Sequence, residues 1–225
     1  MLLRVVRTLA AAPSLAKLWI SIDEPALLEP LPELAALRAS GRLEIHESLP
    51  SPSVSVQSAL AATGTPLLVT TADHALLEPR TVEHFLAEAA ARGCDVAAGL
   101  VSERVIRARF PESTRTYIRL RGDAFSGANL FAFRTPAAGR AAEFWVRAER
   151  FRKQPWRLAR AFGPLTLLLF LLRRLDLEAA LARISRAMGI RVAAIVLPFA
   201  EAAVDVDRPS DLALANRIAR EREGR

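Results

Sequence analysis

Short apolar runs rich in β-branched residues alternate along the chain with longer segments of helical periodicity. The runs predict strands, and most are followed by stretches rich in alanine, leucine, glutamate and arginine, such as TVEHFLAEAAARG. Five strands are predicted in this way: KLWISI, RLEIH, PLLVTT, CDVAAGLV and RVAAIVLP. The alternation predicts an α/β protein with a mostly parallel sheet and helices on both faces. In such a sheet, ligands bind at the carboxyl ends of the strands.

The composition is that of one globular domain. The chain has 225 residues, of which 52% are hydrophobic, and it contains no internal repeats or low-complexity tracts. This length and apolar content suffice to bury a core, so residues 1–225 are predicted to form a single domain. Cys94 is the only cysteine, which excludes a disulfide within the chain and fits a reducing, cytoplasmic setting.

Arginine dominates the basic residues. The chain carries 31 basic and 24 acidic residues for a net charge of +7, and all basic residues except Lys17 and Lys153 are arginines. This excess favours anionic ligands, phosphates especially. Nucleic acid is not the predicted partner, because the arginines are spread along the chain and there is a single tyrosine.

The most apolar run is PLTLLLFLL, which is bracketed by Arg160 and by Arg173 and Arg174. It is far shorter than the roughly 20 apolar residues of a transmembrane helix, so no transmembrane segment is predicted. A buried helix is the first interpretation, and peripheral contact with a membrane surface is the alternative. The surrounding arginine-rich helical segment, from about residue 144 to 174, could contact an acceptor, a second subunit or a membrane.

Asp73 follows the predicted strand PLLVTT directly. If this strand is central and parallel, the carboxylate lies in the crevice where a ligand would bind, and it could hold a divalent metal ion. The alternative is that Asp73 caps a turn or a helix through its side-chain oxygen, which is a common role of aspartate.

A second acidic cluster lies near the end of the chain, in VDVDRPSDLALA. Asp205 and Asp207 alternate along an extended segment and are therefore predicted to point the same way. Acids at the start of the following helix explain Asp207 and Asp211, but they leave Asp205 without a structural role.

Four stretches together resemble the MobA-like nucleotidyltransferases, which include molybdenum-cofactor guanylyltransferases and cytidylyltransferases acting on isoprenoid and sugar acids. The stretches are VTTADHALLEPRTVEHFL, SVQSAL, SGANLFAF and VDVDRPSDLALA. The resemblance implies a three-layer, Rossmann-like fold of the GT-A nucleotidyltransferase type. It also implies that the protein couples a nucleoside triphosphate, CTP or GTP, to a phosphorylated or otherwise anionic acceptor and releases pyrophosphate with Mg²⁺.

The resemblance assigns site residues by position. It makes Asp73 and Asp207 catalytic residues and Asp73 a metal ligand, and it makes either Asp205 or Asp207 the second metal contact. Carboxylates suit this role because Mg²⁺ takes hard oxygen ligands and combines one or two of them with substrate phosphates.

Substrate contacts are assigned in the same way. Ser53 and Ser55 resemble nucleobase and ribose contacts, although a serine at a helix start is also an ordinary cap. Gly127 and Asn129 resemble an acceptor-side loop, and a plain turn would use the same residues.

The segment RTYIRLR precedes that loop. If it is extended, Arg115, Arg119 and Arg121 share one face and could bind an anionic acceptor or pyrophosphate. A strand with solvated arginines is the alternative.

The start of the chain departs from the family pattern. Family members begin with a strand and a glycine-rich loop that cradles the triphosphate, whereas MLLRVVRTL resembles the helix after that loop. Three explanations compete for this difference. The true start could lie further upstream, the chain could be a homologue that binds without catalysis, or it could be a truncated product that folds poorly. The 225-residue chain is expected to have little or no transferase activity. Two other functions compete with the nucleotidyltransferase interpretation. One is a GT-A glycosyltransferase that uses a nucleotide sugar, and the other is a non-catalytic protein that binds a nucleotide or a partner.

Overall fold

Strands and helices follow one another in the order that the apolar pattern predicts. The computed structural model describes residues 1–150 and 163–223. The strands are β1 (Leu18–Ile22), β2 (Leu43–Glu47), β3 (Leu67–Thr70), β4 (Val96–Ser102), β5 (Ile118–Arg119), β6 (Ala124–Phe133) and β7 (Val192–Val196). The helices are α1 (Leu2–Ala10), α2 (Pro32–Ala39), α3 (Pro52–Thr63), α4 (Pro79–Ala91), α5 (Glu103–Arg109), α6 (Gly139–Arg150), α7 (Pro164–Leu171), α8 (Leu177–Met188) and α9 (Pro209–Glu223). Short 3₁₀ turns cover Pro25–Leu28, Pro136–Ala138 and Ala200–Ala203.

The strands form two sheets in the described part of the chain. Strands β1 and β2 pair in parallel, and a five-stranded sheet has the order β3-β6-β4-β7 with β5 on the edge of β6. Strand β6 is antiparallel to β3, β4 and β5, whereas β4 and β7 are parallel, so β6 alone runs against the common direction of its sheet. The five strands predicted from the sequence all form, and the α/β class is confirmed.

Helices cover both faces of the five-stranded sheet. On one face, Ala97 and Val101 of β4 pack with Val82 and Phe85 of α4. On the other face, Val96 packs with residues of α3, α6 and α8. Because successive strand residues point to opposite faces, the two apolar clusters use alternate positions of the same strands. The result is the predicted three-layer arrangement.

Helix α1 contributes to the cores of both sheets. Val5 belongs to the core on the five-stranded sheet, and the next residue, Val6, belongs to the core over β1 and β2. The second core also contains Leu18, Leu34 and Leu43. Adjacent positions on one helix therefore link the two sheets through buried apolar contacts, which are the main source of helix stability in a folded protein.

The segment from about residue 144 to 174 is helical where the structure describes it. Its first part belongs to α6 and its last part forms α7, while residues 151–162 lie outside the described residues. Among the described residues, none of the helices has both the length and the apolar character needed to cross a bilayer.

Asp95 holds the starts of β4 and β7 together. Its Oδ2 accepts a hydrogen bond from the backbone N–H of Arg191, at 2.8 Å, and its Oδ1 accepts one from the hydroxyl of Thr135, also at 2.8 Å. The guanidinium of Arg191 lies 3.3 Å from the same carboxylate. The backbone N–H of Arg191, followed by its side chain, lowers the pKa of Asp95 to about 2.

We expect Asp95→Asn to reduce the free energy of unfolding by up to about 2 kcal/mol at neutral pH. A carboxyl whose pKa falls on folding stabilises the protein above its unfolded pKa and loses that effect as the pH falls. The difference between wild type and variant should therefore shrink between about pH 4 and pH 2, measured by urea unfolding. A difference that stays constant over this range would contradict the assignment.

Candidate functional site

The turn after β3 presents Asp73 and His74 at the carboxyl end of the strand. The prediction that this strand is central and parallel is wrong, because among the described strands β3 pairs only with β6, which is antiparallel to it. The hydroxyl of Thr71 donates to Oδ1 of Asp73, and the hydroxyl of Thr70 lies 3.3 Å from Nδ1 of His74. Asp73 does not cap α4, whose N-cap residue is Glu78. Its second carboxylate oxygen makes no hydrogen bond to any described residue and is available to a ligand.

The segment that carries the second acidic cluster lies directly against this turn. The backbone N–H of Val206 donates to the carbonyl of Asp73 at 3.2 Å. The structure thus brings together two parts of the chain that are distant in sequence.

The two candidate acids of the second segment differ in their surroundings. The side chain of Asp205 is 25% exposed and points into the protein, where both carboxylate oxygens accept hydrogen bonds. Asp207 is exposed, and its side chain makes no hydrogen bond or ion pair with the described residues. The two carboxylates therefore do not share the predicted common orientation, since Asp205 bonds within the protein and Asp207 faces solvent.

Arg115 is the buried cation of this region. Its side chain is only 8% exposed, its Nη1 donates to Oδ1 of Asp205, and its Nη2 donates to the backbone carbonyl of Asp205 at 3.2 Å. Nη2 also lies 3.6 Å from Oδ1 of Asp211. One guanidinium therefore neutralises part of the charge of two carboxylates that would otherwise be buried side by side.

The other two arginines of the predicted stripe lie elsewhere. Arg119 pairs with Glu103, and Arg121 pairs with Asp176 at the start of α8. Only Ile118–Arg119 of this segment is a strand, so the three arginines do not share one face. Arg119 and Arg121 remain accessible, with side chains 49% and 66% exposed.

Asn129 reaches the site from a β-bulge in β6. Ala98 pairs with Phe131 and Leu100 pairs with Gly127, so a single residue of β4 faces three residues of β6. Asn129 adopts a positive φ of 47°, a conformation that asparagine tolerates better than most residues. Its Nδ2 donates to Oδ2 of Asp205 at 3.2 Å. Asn129 therefore lies within a strand and not in the predicted loop.

Gly99 of β4 lies opposite the bulge. A Cβ atom at this position would lie 3.2 Å from Cβ of Leu130 and 3.3 Å from Cβ of Ala128. Because Cβ atoms cannot rotate away, the close approach of the two strands favours glycine here. Gly127 differs, since a Cβ atom there would meet nothing within 4 Å.

His74 is buried and neutral. It is 1% exposed, and burial lowers its pKa to about 4, while the nearby carboxylates of Asp73 and Asp205 oppose this shift. The imidazole therefore adds no positive charge at neutral pH.

Three buried side-chain atoms lack hydrogen-bond partners among the described residues: Nε2 of His74, Nε of Arg115 and the hydroxyl of Tyr117. They belong to one neighbourhood, because Arg115 influences the pKa values of both His74 and Tyr117. Unsatisfied buried groups are rare in native proteins and concentrate at sites that bind water, ions or ligands.

The predicted nucleobase and ribose contacts lie at the start of α3. Ser53 is 1% exposed, and its hydroxyl bonds to Glu149 and lies 3.1 Å from the hydroxyl of Ser51. The hydroxyl of Ser55 accepts a hydrogen bond from the backbone N–H of Leu49 at 2.9 Å. Neither serine is the N-cap, which is Ser51.

The sequence did not indicate the pairing of Arg115 with Asp205 and Asp211. Arg115 and Asp205 are 90 positions apart in the sequence, and no local sequence pattern connects them. Asp211 does have the predicted helix-start role, since its Oδ2 accepts a hydrogen bond from the backbone N–H of Arg208 at 3.0 Å. Its proximity to Arg115 is an additional role.

Two open cavities of about 400 and 390 Å³ lie outside this site. The first is lined by three arginines and three glutamates that pair with one another, together with Ile218: Glu78, Arg80, Arg109, Glu201, Glu221 and Arg222. Since its charges are balanced internally, it does not provide a free anion site.

We expect Arg115→Gln to lower the free energy of unfolding by about 3 kcal/mol, because it leaves the buried Asp211 and the partly buried Asp205 without a counter-charge. Combining it with Asp205→Asn should cost less than the sum of the single changes, as measured by urea unfolding. Arg119→Gln, in the same segment but exposed, is the control and should cost less than about 1 kcal/mol. Strict additivity would contradict the proposed coupling.

We expect Gly99→Ala to cost about 1 to 2 kcal/mol, because the added methyl group overpacks the bulge. Gly127→Ala introduces the same methyl group into open space and should have almost no cost. Urea unfolding of both variants tests this difference, and equal effects would show that the contacts at Gly99 relax freely.

Known proteins share both the sequence pattern and the fold of this chain. The sequence matches the model of the MobA-like NTP transferase domain over residues 1–192. A hypothetical transferase from Thermus thermophilus is 32% identical, with a TM-score of 0.78 over 94% of this chain and 85% of that chain. No curated protein sequence matches at a significant level.

Two further solved structures share the fold at low identity. A CMP:2-keto-3-deoxy-manno-octonic acid synthetase complexed with CTP is 13% identical, with a TM-score of 0.54 over 98% of this chain and 88% of that chain. A 4-diphosphocytidyl-2C-methyl-D-erythritol synthase from Anaerococcus prevotii is 8% identical, with a TM-score of 0.59 over 97% and 85%. The family resemblance is thus confirmed, with the first three of the four stretches inside the matched residues 1–192, and the chain belongs to the MobA-like NTP transferase family of nucleotidyltransferases.

Proposed function

We propose that the reaction of this protein is the transfer of a nucleoside monophosphate from CTP or GTP to a phosphorylated or otherwise anionic small molecule, with little or no turnover by the 225-residue chain by itself. An oxygen of the acceptor would attack the α-phosphorus, the bond from that phosphorus to the oxygen bridging the β-phosphate would break, and pyrophosphate would leave. The observation that carries the proposal is the hydrogen bond from Val206 to Asp73, which places two acidic segments at the carboxyl end of β3.

The donor set fits Mg²⁺. Asp73 has one oxygen without a hydrogen bond, and each oxygen of Asp205 accepts one hydrogen bond and keeps a lone pair for a metal ion. The described residues contain no cluster of three or more acidic, histidine or cysteine ligands. Mg²⁺ does not require one, because it commonly combines one or two carboxylates with waters and substrate phosphates. When bound, it would neutralise charge on the α-phosphate.

Arg115 and Asn129 would act on this reaction through Asp205. Their hydrogen bonds to its two oxygens fix the orientation of the carboxylate, as partners of metal ligands commonly do. Neutral His74 leaves the negative charge of Asp73 and Asp205 undiminished. Catalysis would then rest on positioning and on charge stabilisation, without a protein nucleophile.

Substrate contacts are proposed at the remaining positions. Ser53 and Ser55 would contact the nucleobase and ribose, which requires the hydroxyl of Ser53 to exchange its bond to Glu149 for one to the nucleotide. The open space at Gly127 would admit the acceptor, and Arg119 and Arg121 are accessible to its anionic group. The likeness to a synthetase solved with CTP supports CTP as the first nucleotide to test.

The test is metal and nucleotide binding by the full chain. Mn²⁺ serves as the probe in electron paramagnetic resonance titrations, with and without each nucleoside triphosphate. We expect Asp73→Asn and Asp205→Asn to weaken Mn²⁺ binding at least tenfold, since each removes one charged ligand. Asp207→Asn is the matched control and should change the affinity less than twofold.

If Asp207→Asn weakens Mn²⁺ binding and Asp205→Asn does not, the second metal ligand is Asp207 and not Asp205. Absence of Mn²⁺ binding in the presence of every nucleotide would overturn the proposed function. Pyrophosphate release from each nucleotide, assayed with phosphorylated alcohols and acids, then identifies the substrates.

A further inference from the structure

Helix α7 exposes large apolar side chains to solvent. Six of them, at the helix and the residue after it, are between 40% and 67% exposed: Leu165, Leu167, Leu168, Phe170, Leu171 and Leu172. Single exposed leucines are ordinary on protein surfaces, but a contiguous group of this size marks an interaction site.

The exposed residues surround most of the helix. Successive residues are about 100° apart, so these six positions cover all sides except the one near Thr166. On that side the hydroxyl of Thr166 accepts a hydrogen bond from Arg183 of α8 at 2.9 Å. A flat protein partner covers one stripe of a helix, whereas a lipid phase can cover every side of a helix that projects into it.

Positive charge is concentrated in the same part of the sequence. Residues 144–174 contain eight of the 31 basic residues and one of the 24 acidic residues. The rest of the chain therefore has 23 of each, and the whole net charge of +7 belongs to this segment. Arg173 and Arg174 directly follow the apolar residues, are exposed, and have no carboxylate partner among the described residues.

We propose that α7, together with the exposed Arg173 and Arg174, binds the surface of an anionic lipid bilayer. The leucines would enter the boundary between headgroups and acyl chains, and the arginines would contact lipid phosphates. The eight residues of α7 are about 12 Å long, compared with a hydrocarbon core of about 30 Å, so the helix lies in one leaflet. This inference is independent of the nucleotide site.

The observations favour lipid over two other occupants. A symmetric dimer through α7 would bring Arg173 and Arg174 of both copies together without a carboxylate partner among the described residues, which costs electrostatic energy. Nucleic acid would satisfy the arginines through its phosphates, but it would leave the leucines of α7 exposed.

The experiment is cosedimentation of the full chain with vesicles. We expect at least tenfold tighter binding to phosphatidylcholine vesicles containing about 30% phosphatidylglycerol than to pure phosphatidylcholine. Leu168→Ser/Leu171→Ser should weaken this binding at least tenfold, and Arg173→Gln/Arg174→Gln about fivefold per arginine removed. Leu27→Ser, which changes a leucine that is 62% exposed on another element, should have no effect beyond twofold.

Three results would overturn the proposal. The first is equal binding to anionic and to pure phosphatidylcholine vesicles. The second is unchanged vesicle binding by Leu168→Ser/Leu171→Ser, which would show that binding depends on charge and not on the leucines. The third is a concentration-dependent dimer, seen by light scattering, that the same leucine variant dissociates, because the surface would then bind a second copy. Unfolding midpoints of all variants should match that of the wild type, since the changed side chains are exposed.

Discussion

The buried guanidinium of Arg115 is the interaction on which the candidate site depends. It connects the loop after α5 with the segment before α9, because it contacts both Asp205 and Asp211. Asp205 in turn accepts a hydrogen bond from Asn129 on β6. Without the guanidinium, the carboxylates of Asp205 and Asp211 would lose their shared counter-charge in a region of low solvent access.

The sequence predicts the parts of this site that depend on local pattern. Strand β3 follows from an apolar run, and the rule that ligands collect at the carboxyl ends of strands draws attention to Asp73, although β3 is an edge strand paired with antiparallel β6 and not the expected central parallel strand. The bulge at Asn129 and the inward turn of Arg115 could not be predicted. Successive side chains point to opposite faces only where the backbone is an extended strand, and in this segment only Ile118–Arg119 is a strand. The orientation of Arg115 follows instead from its ion pair with Asp205, which is distant in sequence.

The positions of the arginines in the fold also change the interpretation of the net charge. A net charge of +7 suggested a preference for anionic ligands, yet many arginines of the folded core are paired with neighbouring acids, as Arg109 is with Glu201 and Glu221. Exposed pairs of this kind stabilise little and leave little free charge. The excess belongs to residues 144–174, so the overall charge describes that segment and not the site at Asp73.

The charge of the site itself bears on how a nucleotide would bind there. Asp205 and Asp211 share a single buried cation, Arg115, while Asp73 lies on the adjoining turn and His74 is neutral at physiological pH. A free triphosphate approaching this group of carboxylates would be repelled, whereas a divalent cation would be attracted. If the proposed function is correct, the nucleotide enters as its metal complex, and the affinity for the nucleotide must depend on the metal. The same negative charge that makes the site unsuitable for a bare phosphate is therefore what makes it suitable for metal-assisted transfer.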